Sequence, residues 1–203
     1  DYLLVGQKSG DVYALDPDQG GAIVWHNKVG RGGFLGGVHW GMSANSDSLF
    51  VPIADTTITG RFTGPVSPGI HALDPTSGEV HWYTPAVADC DGKSPIPVCD
   101  QGMSAAITST DQLVFAGSLD GNLNVYDSLS GKILWSFDTF GDFESVSGDT
   151  ALGGSIESDG PVLYQGHVLI NSGYQFGARM PGNALMVFSL QPTGDLAQSG
   201  GNE

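Results

Sequence analysis

The sequence predicts an all-β protein, and three observations favour this class. Glycine accounts for 31 of the 203 residues and proline for 11, which indicates many tight turns. Hydrophobic residues make up 40% of the chain and charged residues only 14%, so the composition suits a folded core with few helix-forming charged residues. Short runs such as 12–15 and 123–126 alternate in the way half-buried strands do.

The net charge excludes several classes of function. Asp and Glu number 22 against 7 Lys and Arg, which gives a net charge of -15. A nucleic-acid binder needs a basic stripe to displace counterions, and an anionic membrane surface attracts basic clusters. No apolar run reaches the roughly 18–20 residues that a membrane-spanning helix requires. We therefore expect neither nucleic acid nor membrane as a partner. The acidity favours a solubility role, with a cation-binding surface as the alternative.

The two cysteines, Cys90 and Cys99, flank a segment that is typical of a loop. With no further cysteine and no nearby histidine, a zinc site is disfavoured, and we predict no metal ligands in the chain. Two interpretations remain open: a disulfide that closes the loop, or two free thiols. A disulfide would place the protein in an oxidising compartment.

An internal repeat carries most of the information about architecture. Each copy has a small or apolar residue, an Asp two positions later, a Gly and then a Trp, and the Asp recurs after 58 and then 53 positions (Asp16, Asp74, Asp127). The first copy has one extra residue before its Trp, and 187–194 is a fourth copy without Asp or Trp. The clear copies are 14–25 (ALDPDQGGAIVW), 72–82 (ALDPTSGEVHW) and 125–135 (VYDSLSGKILW).

Each copy has a physical interpretation. The residues before the Asp form a strand, the Asp carboxylate hydrogen-bonds the following turn, and the Gly tolerates positive φ. We expect the Trp to pack on the neighbouring unit with its N–H satisfied by a carbonyl. Another apolar strand precedes each copy, and two segments that follow a Gly, 42–44 and 103–108, are predicted to be further strands upstream.

About four strands per unit of roughly 50 residues predict a β-propeller of four-stranded antiparallel blades. The predicted units are 1–33, 34–92, 93–150 and 151–192, followed by a loose polar tail at 193–203. The first unit lacks its opening strand and rings of four blades are uncommon, so we expect about four blades of a larger propeller. A plain β-sandwich is the alternative.

The repeat resembles the tryptophan-docking motif of quinoprotein dehydrogenases, which are eight-bladed propellers with pyrroloquinoline quinone (PQQ) on their axis. Longer segments, in order along nearly the whole chain, resemble the polyvinyl-alcohol dehydrogenase branch. These segments are 6–10 (GQKSG), 36–41 (GGVHWG), 115–121 (FAGSLDG), 171–174 (NSGY) and 180–183 (MPGN). The resemblance implies that the chain is the C-terminal half of the propeller and requires an N-terminal half or a second copy.

The resemblance also implies a function. A PQQ-dependent dehydrogenase of this type oxidises alcohols, including secondary or polymeric alcohols, and passes electrons to a cytochrome c. The cofactors would be PQQ and Ca²⁺, which acts as a Lewis acid. In this family the catalytic Asp and the Ca²⁺ ligands lie before the Lys-x-Gly strand, so we expect both outside this chain. The expected location is the periplasm or the exterior of the cell.

Four residues match cofactor-binding positions of that family. Lys8 would face the quinone carbonyls and stabilise negative charge, or else be a solvated turn lysine. Trp40 would lie against the quinone or its pocket wall, or else be a core aromatic. His39 would hydrogen-bond a cofactor carboxylate, or else be a structural histidine. Gly154 would allow close approach of the backbone to a ligand.

A second function from another class remains open at this point. The same repeats occur in propellers without a catalytic role, so the chain is alternatively a non-catalytic PQQ-like propeller that acts as a binding or assembly scaffold. Lys8, His39 and Trp40 favour the enzyme, because a scaffold has no need of polar groups and an indole on its axis.

Overall fold

The fold is described from a computed structural model that covers residues 1–56, 62–95, 98–174 and 177–190. The predicted loose tail at 193–203 lies outside the described residues. Within those ranges the chain forms sixteen strands and one short 3₁₀ helix at Pro17–Gln19. The strands are β1 (Leu3–Gly6), β2 (Asp11–Asp16), β3 (Ala22–Lys28), β4 (Ser43–Ala44), β5 (Leu49–Ile53), β6 (Gly69–Leu73), β7 (Val80–Pro85), β8 (Thr108–Ser109), β9 (Leu113–Gly117), β10 (Asn122–Asp127), β11 (Ile133–Asp138), β12 (Gly141–Glu144), β13 (Thr150–Gly153), β14 (Val162–Tyr164), β15 (His167–Ser172) and β16 (Ala184–Ser189).

The strands form antiparallel sheets in which chain neighbours are also sheet neighbours. Sheet I contains β1–β3, sheet II contains β4–β7, sheet III contains β8–β11 and sheet IV contains β14–β16. This confirms the all-β class with four-stranded antiparallel sheets. The remaining hairpin, β12–β13, connects sheets III and IV and spans the predicted unit boundary between 150 and 151. The unit boundaries stay a prediction.

The repeat places the same turn between the third and fourth strands of a full sheet. In the second copy, Asp74 accepts hydrogen bonds from the Thr76 hydroxyl and from the N–H groups of Thr76 and Ser77. These bonds, the Thr76 hydroxyl first among them, lower the pKa of Asp74 to about 2. The Gly78 N–H donates to the Asp74 carbonyl and closes the turn at a φ of 76°. A sequence of Asp, hydroxyl and Gly therefore builds this turn from local bonds alone.

The repeated tryptophans join each sheet to the next, as the sequence predicts. Trp25 Nε1 of sheet I donates to the Pro75 carbonyl of sheet II at 3.0 Å. Trp82 Nε1 of sheet II donates to the Ser128 carbonyl of sheet III at 3.0 Å. Each ring lies directly on the turn glycine of the neighbouring copy. In all three copies the strand pairing shifts register by one residue just before the Trp, and this β-bulge gives the three rings the same orientation.

The core consists of layers between successive sheets. Val12 and Ala14 of sheet I pack with Leu49 and Val51 of sheet II. Sheets II and III bury a second layer that includes Phe50 of sheet II. A third layer between sheets III and IV is built around Leu123, Ile156 and Ile170. Because one side chain in two faces the next sheet, each strand supplies a core contact at every second residue.

The first segment of each later sheet hydrogen-bonds the sheet before it. The N–H groups of Val38, Met103 and Ile156 donate to carbonyls of the preceding sheets (Gln7, Ile53 and Ser118). Those three residues are therefore equivalent, and β4 corresponds to β8. The predicted upstream strand at 42–44 contains β4, whereas the one at 103–108 reaches only the first residue of β8, because residues 103–105 occupy the place of 38–40. The shared Met-Ser-Ala letters do not share a structural position.

A disulfide joins Cys90 and Cys99 and closes the loop that follows β7. This decides between the two interpretations of the cysteines. A buried lysine ties the loop to sheet III: Lys93 Nζ donates to the Asp120 carbonyl at 2.8 Å and pairs with Asp138 at 3.0 Å and Asp89 at 3.2 Å. The loop is thus held covalently at its base and electrostatically at its tip.

Candidate functional site

Three inner segments converge on a buried hydrogen-bond chain. His39, Ser104 and Glu157 each follow one of the equivalent residues Val38, Met103 and Ile156, so the sheet geometry brings them together. The Ser104 hydroxyl donates to Glu157 Oε1 at 2.9 Å, and His39 Nδ1 lies 2.8 Å from Ser104 Oγ. The His39 side chain is 4% exposed and the Glu157 side chain 0%. These hydrogen bonds therefore connect the segments that lead into sheets II, III and IV.

Positive charge is concentrated beside His39. Burial, together with the charges of Lys8 and Arg179, lowers the pKa of His39 to about 4. His39 Nδ1 lies 3.9 Å from Glu157 Oε1, a spacing that would be an ion pair only if the imidazole were protonated. Because the pKa is so low, His39 is neutral at pH 7, and its contact with Glu157 runs through the Ser104 hydroxyl.

Lys8 is exposed at the turn between β1 and β2, as its position in the sequence predicts. Its ammonium donates to the Phe34 carbonyl at 3.3 Å and lies 5.8 Å from the centre of the Phe34 ring. These contacts direct the lysine toward segment 34–40, which also holds His39. Trp40 is half exposed, and its ring centre lies 5.0 Å from that of His39. Lys8, His39 and Trp40 therefore share one region, while their roles toward a cofactor stay predictions.

Gly154 lies in the first segment of the fourth sheet, near the same region. A side chain there would collide with the backbone of Met180 and Pro181. The close approach that the structure contains is thus between two protein segments, and this packing is sufficient reason for a glycine. A role for Gly154 in cofactor binding stays a prediction.

Sequence reasoning missed three residues of this region: Ser104, Glu157 and Arg179. Arg179 is buried, and its neighbour Met180 exchanges hydrogen bonds with Ser155, which places the arginine beside the Glu157 segment. Alignment of the inner segments on Val38, Met103 and Ile156 would have found Ser104 and Glu157. No repeat signal marks Arg179, because its segment is an insertion between β15 and β16.

Two concave regions lie elsewhere on the described surface. A groove of about 470 Å³ between sheets III and IV is lined in part by Thr108, Pro161 and Leu185. A second groove of about 250 Å³ between sheets II and III includes Asp89 and Tyr126. Neither of these grooves is lined by His39. Among the described residues, no three His, Cys, Asp or Glu side chains are placed to hold a metal ion together, and no helix is long and apolar enough to cross a membrane.

Comparison with known proteins identifies relatives among the alcohol dehydrogenases. Two proteins named polyvinylalcohol dehydrogenase, from Pseudomonas sp and Sphingopyxis sp. (strain 113P3), are 36% identical to the chain over 199 and 200 residues, which is 93% and 94% of it. A protein of Thauera butanivorans named 1-butanol dehydrogenase (cytochrome c) is 33% identical over 54% of the chain and 15% of that relative. The chain spans 30% of the length of each of the two polyvinylalcohol dehydrogenases.

Fold and family follow from two further comparisons. The quinohemoprotein alcohol dehydrogenase from Comamonas testosteroni superposes with a TM-score of 0.57 at 17% identity, over 85% of this chain and 28% of that one, which supports the propeller fold alone. A family profile, PQQ_2, matches residues 8–154 and 67–189 and carries the description "Outer membrane protein assembly factor BamB". The predicted resemblance to PQQ-type propellers of the polyvinyl-alcohol dehydrogenase branch is thereby confirmed, and the chain belongs to the PQQ_2 family.

Proposed function

We propose that this chain is part of a PQQ-dependent dehydrogenase that oxidises alcohols, including secondary or polymeric alcohols. The observation that carries the proposal is the 36% identity to polyvinylalcohol dehydrogenases along 93% of the chain. At that identity, relatives of this length share their fold. Since the chain spans 30% of those relatives, the activity belongs to a larger assembly of which this chain supplies one portion.

The side chains around His39 fit an anionic aromatic quinone. PQQ carries carboxylates and a planar ring system, so its site needs cations and a flat apolar surface. In a protein of net charge -15, two cations close enough to lower the pKa of one imidazole are a notable concentration of positive charge. Lys8 and Arg179 would hold the anionic quinone and Trp40 would cover its ring. When bound, the quinone supplies the two-electron oxidation of the alcohol.

Lys8 has the clearest chemical role among these groups. A cation near quinone oxygens stabilises the negative charge that develops there as the quinone is reduced. Its ammonium already points along segment 34–40 through the Phe34 carbonyl. The general base and the Ca²⁺ ligands are proposed to come from outside this chain.

Two apolar sheet faces indicate how the rest of the propeller would attach. In sheet I, Leu4 packs toward sheet II while Leu3, 57% exposed, faces away from it. In sheet IV, Met186 and Phe188 pack on sheet III while Leu185, 65% exposed, faces away. The corresponding faces of sheets II and III are covered by the next sheet. We propose that further blades, from an N-terminal half or from a second copy, cover both faces.

The electron acceptor and the compartment are also proposals. A relative whose name specifies cytochrome c supports a cytochrome c as acceptor. The Cys90–Cys99 disulfide supports an oxidising compartment, the periplasm or the exterior of the cell.

The alternative is a non-catalytic propeller that serves as a binding or assembly scaffold. The description of the PQQ_2 family, an outer membrane protein assembly factor, favours it. A scaffold would keep the repeats, the tryptophan contacts and the sheet order, and would have no use for quinone binding. Binding of PQQ therefore discriminates between the two functions.

Native mass spectrometry followed by denaturing mass spectrometry tests the proposal. With PQQ and Ca²⁺ added, we expect a native species heavier than the chain that releases PQQ on denaturation. Lys8→Met should weaken PQQ retention at least tenfold, because it removes a charge-assisted contact. Lys132→Met, in the exposed turn between β10 and β11, should leave retention unchanged. A species in which the chain is assembled with further blades but which stays free of PQQ would overturn the dehydrogenase proposal and support the scaffold.

A further inference from the structure

The hydrogen-bond chain from His39 to Glu157 has only one consistent direction. Ser104 has a single hydroxyl proton, and it donates that proton to the Glu157 carboxylate. Its oxygen can then only accept from His39 Nδ1, which lies 2.8 Å away. His39 must therefore carry its proton on Nδ1, and the second ring nitrogen, Nε2, must hold a lone pair.

From this arrangement we infer that Ser104 and Glu157 are positioning residues that hold His39 in the Nδ1–H tautomer with Nε2 as a hydrogen-bond acceptor. All three side chains are almost fully buried, so water does not compete for these hydrogen bonds. The backbone next to Glu157 is anchored as well, because the Ala106 N–H donates to the Ser158 carbonyl. The orientation of the imidazole is thus set by two other sheets.

The surrounding charges keep the ring neutral. Glu157 faces His39 from sheet IV and would favour the imidazolium, whereas Lys8 from sheet I and Arg179 from the β15–β16 connection oppose it. Burial opposes it most strongly. At neutral pH the ring is therefore a one-donor, one-acceptor group, and the donor is committed to Ser104.

This tautomer changes the role that His39 can have, which rests on the proposed dehydrogenase function. A lone pair at Nε2 accepts from an O–H or N–H group and cannot donate to a carboxylate. The sequence suggested a bond to a cofactor carboxylate, and that bond would require the other tautomer.

The tautomer is measurable without cofactor or substrate, by ¹⁵N–¹H correlation spectra of the imidazoles in the full chain at pH 7. We expect His39 to show a protonated Nδ1 and an unprotonated Nε2. Ser104→Ala should reduce the tautomer preference about two- to tenfold, the value of one neutral hydrogen bond, and shift His39 toward the Nε2–H form. Ser104→Thr keeps a hydroxyl and should restore the wild-type signals.

Two controls separate positioning from folding. Ser43→Ala removes a hydroxyl from the neighbouring first strand, where Ser43 bonds Ser109 and not His39, and should leave the His39 signals unchanged. The signals of buried His71 report whether each variant folds. An Nε2–H tautomer in the wild type, or an unchanged tautomer in a folded Ser104→Ala protein, would overturn the inference. Because no quinone is present, the result does not depend on the PQQ-binding experiment.

Discussion

Replacement of Gly78 by alanine tests how the sheets are held together. Gly78 closes the turn of the second repeat copy, and the Trp25 ring from sheet I lies on it. An added Cβ would come within 2.5 Å of Trp25 Cε3 and 2.7 Å of Cδ2, well inside van der Waals contact. The ring would have to move, and its 3.0 Å hydrogen bond to the Pro75 carbonyl would move with it.

The cost has two separable parts. An alanine at a φ of 76° costs about 1–2 kcal/mol, because its Cβ crowds the following carbonyl. Overpacking against the Trp25 ring costs about 1–3 kcal/mol. Gly78→Ala should therefore lower the free energy of unfolding by about 2–5 kcal/mol.

Gly21→Ala is the matched control, since Gly21 occupies the same place in the first copy. Its N–H donates to the Asp16 carbonyl, its φ is 82°, and an added Cβ would meet nothing within 4 Å. We expect a loss of only about 1–2 kcal/mol. Urea unfolding of both variants, followed by circular dichroism, gives the two losses. Equal losses would refute the idea that tryptophan docking explains the glycine at position 78.

Three further predictions concern the disulfide, the buried histidine and the second tryptophan. Replacing Cys90 and Cys99 by serine should cost about 2–3 kcal/mol in urea unfolding, because a loop with a separation of 9 loses its constraint on the unfolded chain; an unchanged midpoint would contradict this. Stability should fall as the pH drops from 6.5 toward 4, where unfolded His39 takes up a proton that the folded ring does not; His39→Gln should reduce that slope by about 1 kcal/mol per pH unit in urea titrations, and parallel profiles would exclude His39 as the source. Trp82→Phe should lower the free energy of unfolding by about 1–2 kcal/mol, because the hydrogen bond to the Ser128 carbonyl is lost. Trp135→Phe should cost less, since Trp135 is 41% exposed. Equal urea midpoints for the two variants would contradict this prediction.

The sequence could predict the repeat architecture because each copy builds its turn locally. The hydrogen bonds of the turn join residues no more than four positions apart (Asp74, Thr76 and Gly78). The local sequence pattern is therefore sufficient to predict the turn. The tryptophan contact was also predictable, since a Trp at a fixed offset from such a turn has a fixed direction. Strand boundaries were less predictable where the letters were not tied to local bonds: the strand predicted at 103–108 overlaps β8 only at Thr108.

The candidate site was predicted only in part, for a related reason. Lys8, His39 and Trp40 lie in motifs that are recognisable along the chain. Ser104 and Glu157 lie in no recognisable motif, because their hydrogen-bond partners belong to other sheets that are distant in the sequence.

Sequence alone thus determined the all-β class, the repeated antiparallel sheets, their tryptophan contacts and the resemblance to PQQ-type dehydrogenases. These features depend on residues close together in the chain, whose geometry is set by backbone sterics and short-range hydrogen bonds. Only the tertiary structure decided that Cys90 and Cys99 form a disulfide and that His39, Ser104 and Glu157 form one hydrogen-bond chain. The latter three residues are 53 or more positions apart, and only the packing of three sheets around a common centre brings their atoms within hydrogen-bond distance.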